Sequence, residues 1–357
     1  GIRFAHERNK KVYVAVNIVP RSNELEKIRE FCTFLYNTGA DGVIVSDLGA
    51  FSVINKTVPD LPIHVSTQAN ITNFESACMW HKMGATRVVL ARELSLEEIT
   101  EVRKKLPKEC EIETFVHGAM CVSYSGRCLL SNYMANRDSN RGACAQPCRW
   151  KYYLMEEKRP GQYMPVYEND KGSFIFNSKD LCMIRHIDKL YAAGVKSLKI
   201  EGRVKSDYYV ATVVHAYRRA IDDFYAEKPF DEELLKEVCK VSHREYSEGF
   251  YFSQPEQIYT YGSYIRSCEL IGTVKEYDEE NKVAVVEQRN RFYKGDEVEF
   301  LPPTGDYIKF RIEDMEDADG NPIDVAPHPQ MTVRIKVPVK LPPQTIVRKE
   351  CECSEPV

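Results

Sequence analysis

KVYVAVNIVPRSNELEKIREFCTFLYNTG, residues 11–39, sets the pattern for the first half of the chain. Residues 11–18 are a nearly continuous apolar run reaching Asn17, as expected of a strand buried on both faces of a parallel sheet. Residues 24–39 then read as an amphipathic helix closed by Gly39. The same alternation recurs: DGVIVSD (41–47), PIHVSTQ (62–68), TRVVLAR (86–92) and EIETFVHG (111–118) are strand-like. Between them LGAFSVINKTV (48–58), NFESACMWHKMGA (73–85) and SLEEITEVRKKLP (95–107) are helix-like, the last opened by Ser95 as N-cap with Glu98 three residues on.

SFIFN (173–177) and KSLKIEG (196–202) add two strand candidates, and a long helix is expected over 206–226. Seven strands alternating with helices predict an α/β fold of the (β/α)8 barrel type, with an open doubly wound sheet as the alternative. No GxGxxG follows any strand, which weakens a dinucleotide-binding reading. From residue 264 short alternating runs split by NK, PPTG and DGNP predict a small all-β barrel domain. The expected organisation is a barrel domain over 1–230 with a cysteine-rich insertion at about 117–175. A connecting helix and linker follow over 231–263, then a C-terminal β domain over 264–349 and a polar tail over 350–357.

No apolar run approaches the ~20 residues that span a bilayer, and the opening GIRFAHERNKK lacks a secretory h-region, so a soluble cytoplasmic protein is expected. In a reducing compartment twelve cysteines are not a disulfide framework. Cys32, Cys78, Cys110, Cys182, Cys239 and Cys268 sit singly among apolar residues and read as buried small hydrophobes, while Cys351 and Cys353 fall in a tail expected to be disordered. A net charge of −4 argues against a protein that coats nucleic acid non-specifically.

The working residues of a barrel project from the C-terminal strand ends, here Asn17, Asp47, Ser66 with Gln68, Arg92, His117, Asn177, and Glu201 with Arg203. As a set they suit a small polar or anionic ligand. Four further cysteines cluster: Cys121 and Cys128 bracket a Gly/Ser loop, and Cys144 and Cys148 share one turn. Four thiolates complete either a tetrahedral zinc or a 4Fe-4S cubane, and spacing alone leaves both open. Cys121 as a nucleophile with His117 as base is a third possibility, but no third group to orient the histidine is identifiable. The stretch RDSNRGACAQPCRWKYYLMEEKR (137–159) interleaves Arg137, Arg141, Arg149, Lys151 and Lys158 with Trp150, Tyr152 and Tyr153, a composition that single-stranded RNA loops require. Lys196, Lys199, Arg203 and Lys205 add a second basic strip.

ETFVHGAMCVSYSGRC (113–128) resembles the signature of peptidase family U32, the collagenase-like peptidases, through Glu113, Phe115, Gly118, Cys121, Ser125, Gly126 and Cys128. The resemblance continues in HVSTQANITN (64–73), NRGACAQPCRW (140–150), FNSKDL (176–181) and KIEGRVKSDYYV (199–210), spanning roughly residues 10–225, and the β-rich tail is similar to the family's C-terminal domain. It implies a 4Fe-4S cluster on Cys121, Cys128, Cys144 and Cys148, with zinc as the alternative. It also implies RNA or quinone hydroxylation rather than proteolysis, most closely the branch that makes 5-hydroxyuridine at the tRNA wobble position, with prephenate as a co-substrate. The family opens with about two further strand–helix units, so the barrel is expected to be incomplete at its N-terminus and SFIFN to lie outside its wall.

The expectation is therefore a tRNA uridine hydroxylase. Arg149 and Trp150 hold an extruded base, and Asn17, Gln68 and Asn177 hydrogen-bond base or co-substrate. Glu201, Arg203 and His117 act at the reacting centre, with Arg203 meeting the anion. The alternatives are a cysteine- or metal-dependent peptidase, disfavoured by the lack of HExxH, and a non-enzymatic cluster-bearing scaffold. Partners are tRNA and a second protein of the same family, and no membrane.

Overall fold

The computed structural model describes residues 1–121, 123–150, 153–155, 163–165, 178–255 and 264–351. By packing, the chain divides into two units, one of residues 1–201 with 245–262 and one of residues 202–244 with 263–357.

The first unit opens with a short helix, α1 (Ile2–His6), and then alternates β1 (Tyr13–Ala15), α2 (Leu25–Asn37), β2 (Gly42–Val45), α3 (Leu48–Thr57), β3 (Ile63–Val65), α4 (Phe74–Lys82), β4 (Arg87–Val89), α5 (Leu96–Lys105) and β5 (Glu111–Gly118). β1 to β5 pair in that order, all parallel. Parallel strands covered on both faces need apolar side chains in both directions, and β2 and β3 bury nearly every residue. Helix α2 buries Ile28, Cys32 and Leu35 on one stripe, which is the i, i+4, i+7 spacing of an amphipathic helix. Helix α5 carries the expected capping box: the Ser95 side chain accepts from Glu98 N–H and Glu98 accepts from Ser95 N–H.

Beyond β5 the chain makes a short helix, α6 (Leu130–Ala135), the two-stranded ribbon β6 (Tyr153–Met155) with β7 (Tyr163–Pro165), then β8 (Asp180–Cys182), α7 (Ile187–Ala192) and β9 (Ser197–Ile200). β9 pairs parallel with β5, as the sequence predicts. β8 was not expected: it pairs antiparallel with the last two residues of β5 and parallel with β10 (Tyr246–Ser247). The stretch 231–263 therefore does more than connect, because it supplies a strand of the first sheet. The SFIFN candidate lies outside the described residues. Among the described residues the pairing order runs from β1 to β10 and does not join its two ends. The architecture shown is α/β.

The second unit holds α8 (Asp207–Tyr225), α9 (Glu233–Val238) and an antiparallel sheet. Its strands are β11 (Cys268–Asp278), β12 (Val283–Gln288), β14 (Glu297–Leu301), β15 (Ile308–Arg311), β16 (Met315–Glu316), β18 (Thr332–Lys336) and β19 (Ile346–Glu350), in the order β15-β14-β19-β11-β12-β18-β16. A separate pair, β13 (Phe292–Tyr293) and β17 (Val325–Ala326), completes it. Register shifts in β11 between Leu270 and Gly272 and between Val274 and Glu276 increase local twist and curl the sheet around Ile271, Val286, Phe300, Val333, Ile335 and Val347. Within this unit Arg348, fully buried on β19, meets Glu237 of α9 through both terminal nitrogens at 2.6 and 2.8 Å and Glu299 of β14 through Nε at 2.8 Å. Cys351 continues the ladder, its N–H donating to Ser267 O at 3.0 Å.

Candidate functional site

The C-terminal ends of β1 to β5 carry a connected polar layer. Asn17 donates from Nδ2 to Ser66 Oγ at 3.2 Å, and its carbonyl accepts from Ser46 Oγ at 2.8 Å. Asp47 is committed locally: it caps α3 by accepting from Ala50 N–H at 2.9 Å. Ser66, buried, caps a single 3-10 turn (Thr67–Ala69) that carries Gln68, and Asn70 then takes the left-handed conformation at φ +55°. This turn aims Gln68 and Asn70 at the cysteine-bearing segment.

That segment, residues 119–150, is docked on the strand ends by specific bonds. Arg92, just after β4, donates from Nη1 to Ala119 O at 2.9 Å and from Nη2 to Ser125 Oγ at 2.8 Å, with its guanidinium 4.7 Å from the Phe115 ring centre. Asn70 donates to Ser125 O at 3.1 Å and accepts from Arg127 Nε at 2.7 Å. Gly126, at φ +76°, lies so close to Gln68 that a Cβ would stand 3.1 Å from its Cγ. Farther along, Asn140 donates to Gln68 Oε1 at 2.9 Å and accepts from Val19 N–H at 2.8 Å, and Arg141 grips Glu24 with two bonds at 2.9 and 3.0 Å. Those bonds hold Glu24 well below the usual carboxylate range, at about 2. The loop between Cys121 and Cys128 is thus shaped by β3 and β4, and the approach to Cys144 by β1 and its following turn.

Beneath this layer sits a buried ionic core. Burial opposes charge on Glu113, yet Lys199 at 2.7 Å, Ser197 at 2.7 Å and Arg87 at 3.2 Å hold its carboxyl below the ordinary value. His117 is fully buried, with its Nε2 3.3 Å from the Tyr246 hydroxyl, and its carbonyl accepts from Glu201 N–H at 2.9 Å. Gly118, at φ +109°, follows: a Cβ there would stand 2.7 Å from Glu201 O, so only glycine lets β5 and the end of β9 approach.

Cys144 is exposed, and Cys121, Cys128 and Cys148 are half-buried. Cys32, Cys110 and Cys268 are the opposite case, buried, with burial pushing each thiol up to about 11. Cys182 is buried like them, whereas Cys78 and Cys239 are half-buried, less than the sequence predicts. Four soft donors on one docked segment suit an iron-sulfur or zinc centre. As arranged here, however, no three Cys, His, Asp or Glu side chains among the described residues are grouped to hold one metal ion.

The sequence pattern of peptidase family U32 matches residues 1–260, and that of the U32 C-terminal domain matches residues 266–348. The chain belongs to peptidase family U32. Among its relatives, tRNA hydroxylation protein P of Escherichia coli is 40% identical, covering 96% of this chain and 84% of that protein. The tRNA hydroxylation protein P1 of Bacillus subtilis is 38% identical, covering 98% and 83%. The 23S rRNA 5-hydroxycytidine C2501 synthase of Escherichia coli is 36% identical, covering 64% of this chain and 33% of that protein.

In this U32 chain Asn17, Gln68, His117 and Glu201 fall in the first unit, and the first two belong to the polar layer that holds the cysteine segment. Arg203 is exposed and falls in the second unit, and Asn177 lies outside the described residues. Arg149 ends a 3-10 turn (Pro147–Arg149), and Trp150 after it is 47% exposed. Sequence reasoning missed Asn70, Asn140, the Glu24–Arg141 pair and Tyr246. The U32 signature itself contained Ser125, and the quoted HVSTQANITN contained Asn70, but their partnership spans 55 residues and no local pattern encodes it.

Proposed function

We propose that this U32 protein is an RNA-modifying enzyme that hydroxylates tRNA, at a wobble uridine. The observation that carries this is similarity along almost the entire chain to relatives named for tRNA hydroxylation. The geometry is compatible: a polar strand-end layer lies next to an arginine-bearing segment with exposed rings, on which a splayed base and its phosphates can be held. The same reading takes the first unit as a (β/α)8-type barrel, places a 4Fe-4S cluster on Cys121, Cys128, Cys144 and Cys148, and assigns prephenate as an anionic co-substrate to Arg203. The support for the cluster is the donor chemistry and the accessibility of these thiols. A bound cluster would supply one-electron chemistry, and the protein groups around it would orient the base and exclude water.

Nucleoside mass spectrometry of tRNA from a strain lacking this gene tests the proposal. Loss of the 5-hydroxyuridine family, restored by the wild-type gene, is expected, and an unchanged nucleoside profile overturns it. Iron and sulfide analysis of anaerobically purified protein tests the cluster, with about four iron per chain expected and stoichiometric zinc without iron as the contrary result.

A further inference from the structure

The cysteine segment is chemically unlike the rest of the molecule. Residues 119–150 contain Arg127, Arg137, Arg141 and Arg149 against one acid, Asp138, whereas the whole chain carries a net charge of −4. Arg141 is neutralised by Glu24. Arg127 and Arg137 are not: their Nε groups go to the neutral acceptors Asn70 Oδ1 and Ala143 O, and no carboxylate among the described residues pairs with them. Two cations without carboxylate partners on an acidic protein mark a place where an anion is expected.

The same segment exposes rings instead of burying them. Tyr133 is 81% exposed, Tyr124 48% and Trp150 47%, alongside Leu129 and Met134. Their backbone is nevertheless well held. Ser131 of α6 accepts from Ala145 N–H at 2.9 Å, Ser139 Oγ donates to Cys128 O at 2.6 Å, and α6 packs on the turn that ends at Trp150. Tyr124 heads a turn closed by Arg127 N–H at 3.1 Å. Rings fixed at their base and bare at their faces contribute little to folding, since an apolar surface left in water gains nothing from burial. They suit a partner with flat faces and negative charge, and aromatic stacking with arginine pairing is the chemistry by which single-stranded nucleic acid is held. Rings with arginines also occur at protein interfaces, but two arginines without carboxylate partners on a segment that carries a single acid favour a partner bearing negative charge.

We propose that Tyr124, Tyr133 and Trp150, with Arg127 and Arg137, form a stacking platform for a single-stranded stretch of the RNA substrate. This rests on the RNA reading above and adds the residues that grip the strand beside the reacting base. Through Arg127 and Asn70 the platform is joined to the strand-end layer, so a base laid on it is registered against β3.

The test is fluorescence anisotropy of the full chain with a fluorescein-labelled RNA hairpin and with a blunt duplex of the same stem. Tyr133→Ala is expected to weaken hairpin binding roughly tenfold with little change for the duplex, and Tyr133→Phe to restore it, since the stacking face is what counts. Arg137→Gln is expected to reduce the slope of log affinity against log salt by about one ion. Because Tyr133 is exposed, thermal melts of its variants should match the wild type, which separates binding from folding. If the wild type binds tRNA and all variants bind it equally, the platform is refuted while the RNA reading survives. If the wild type binds neither hairpin nor tRNA, the RNA reading falls with it. Unchanged RNA binding with a loss of self-association in sedimentation would refute the platform and assign the patch to a second copy.

Discussion

Arg92 shows how one side chain turns a loop into a shaped site. Its two terminal nitrogens fix a carbonyl at Ala119 and a hydroxyl at Ser125, one before Cys121 and one between Cys121 and Cys128. Replacing it by leucine keeps the packing on Phe115 but leaves the buried Ser125 hydroxyl without this donor, at a cost of about 1–3 kcal/mol. The expected signature is local: alkylation of Cys121 and Cys128 in the metal-free protein accelerates, while Cys144, already exposed, reacts as before. Mass spectrometry of timed labelling measures it, and equal rates at all three thiols in variant and wild type would contradict it. At this scale the sequence revealed much of what mattered. Four cysteines in a Gly/Ser-rich setting stand out by composition, and so does the strand-end position of Arg92. What could not be read was the identity of partners, since Asn70 and Ser125 or Glu24 and Arg141 are joined only by the fold.

Among the elements, β1 to β5 and their helices were legible because a strand covered on both faces must be apolar throughout, and the helices between them each bury one stripe. β8 and β10 escaped detection for an equally physical reason: β10 sits in the polar stretch HREYSEG, and β8 shares its short apolar run LCMI with the 3-10 turn that follows, so neither shows the apolar run that marks β1 to β5. The central strands also carry a pH-sensitive residue. His64 on β3 is buried, packs at a tilt against Tyr13, and is held down to about 4, first by burial and then by Arg87, against the opposing pull of Glu113 and Glu111. Lys199 adds to the depression. The folded protein therefore keeps this imidazole neutral where the unfolded chain would protonate it. Its contribution is complete above the unfolded value near 6.5 and is lost as pH falls from there toward 4, by an amount on the order of 1–3 kcal/mol. Urea unfolding at pH 7 and pH 5 should show this loss, and His64→Gln should flatten it. A variant with the wild-type pH dependence would show that other groups are responsible.

For the molecule as a whole, the texture change at residue 264 correctly announced an all-β region, since turn residues between short alternating runs have few other uses. The packing division was not legible, because it depends on long-range bonds. Arg348 is the clearest instance: it lies near the end of the chain, yet its partners Glu237 and Glu299 lie 111 and 49 residues earlier. A fully buried guanidinium with two carboxylates is costly to break, so Arg348→Ala is expected to destabilise the second unit by about 3–5 kcal/mol, whereas Arg348→Met with Glu237→Gln and Glu299→Gln should recover part of that loss. Calorimetry with both variants decides, and a fully tolerated alanine would show the network to be incidental. Among the described residues no helix is long and apolar enough to cross a membrane.

Strand β10 carries a consequence for anyone dissecting this protein or watching it being made. The ribosome delivers the last strand in the first sheet's pairing order, and with it Tyr246, only after α8 and α9 of the other unit have been synthesised. A knife placed at the tempting junction near residue 230 would amputate that strand, and one placed after it would strand α8 and α9 without the sheet they pack with. The polypeptide visits one unit, leaves, returns and leaves again, so neither unit is a single uninterrupted stretch of the chain.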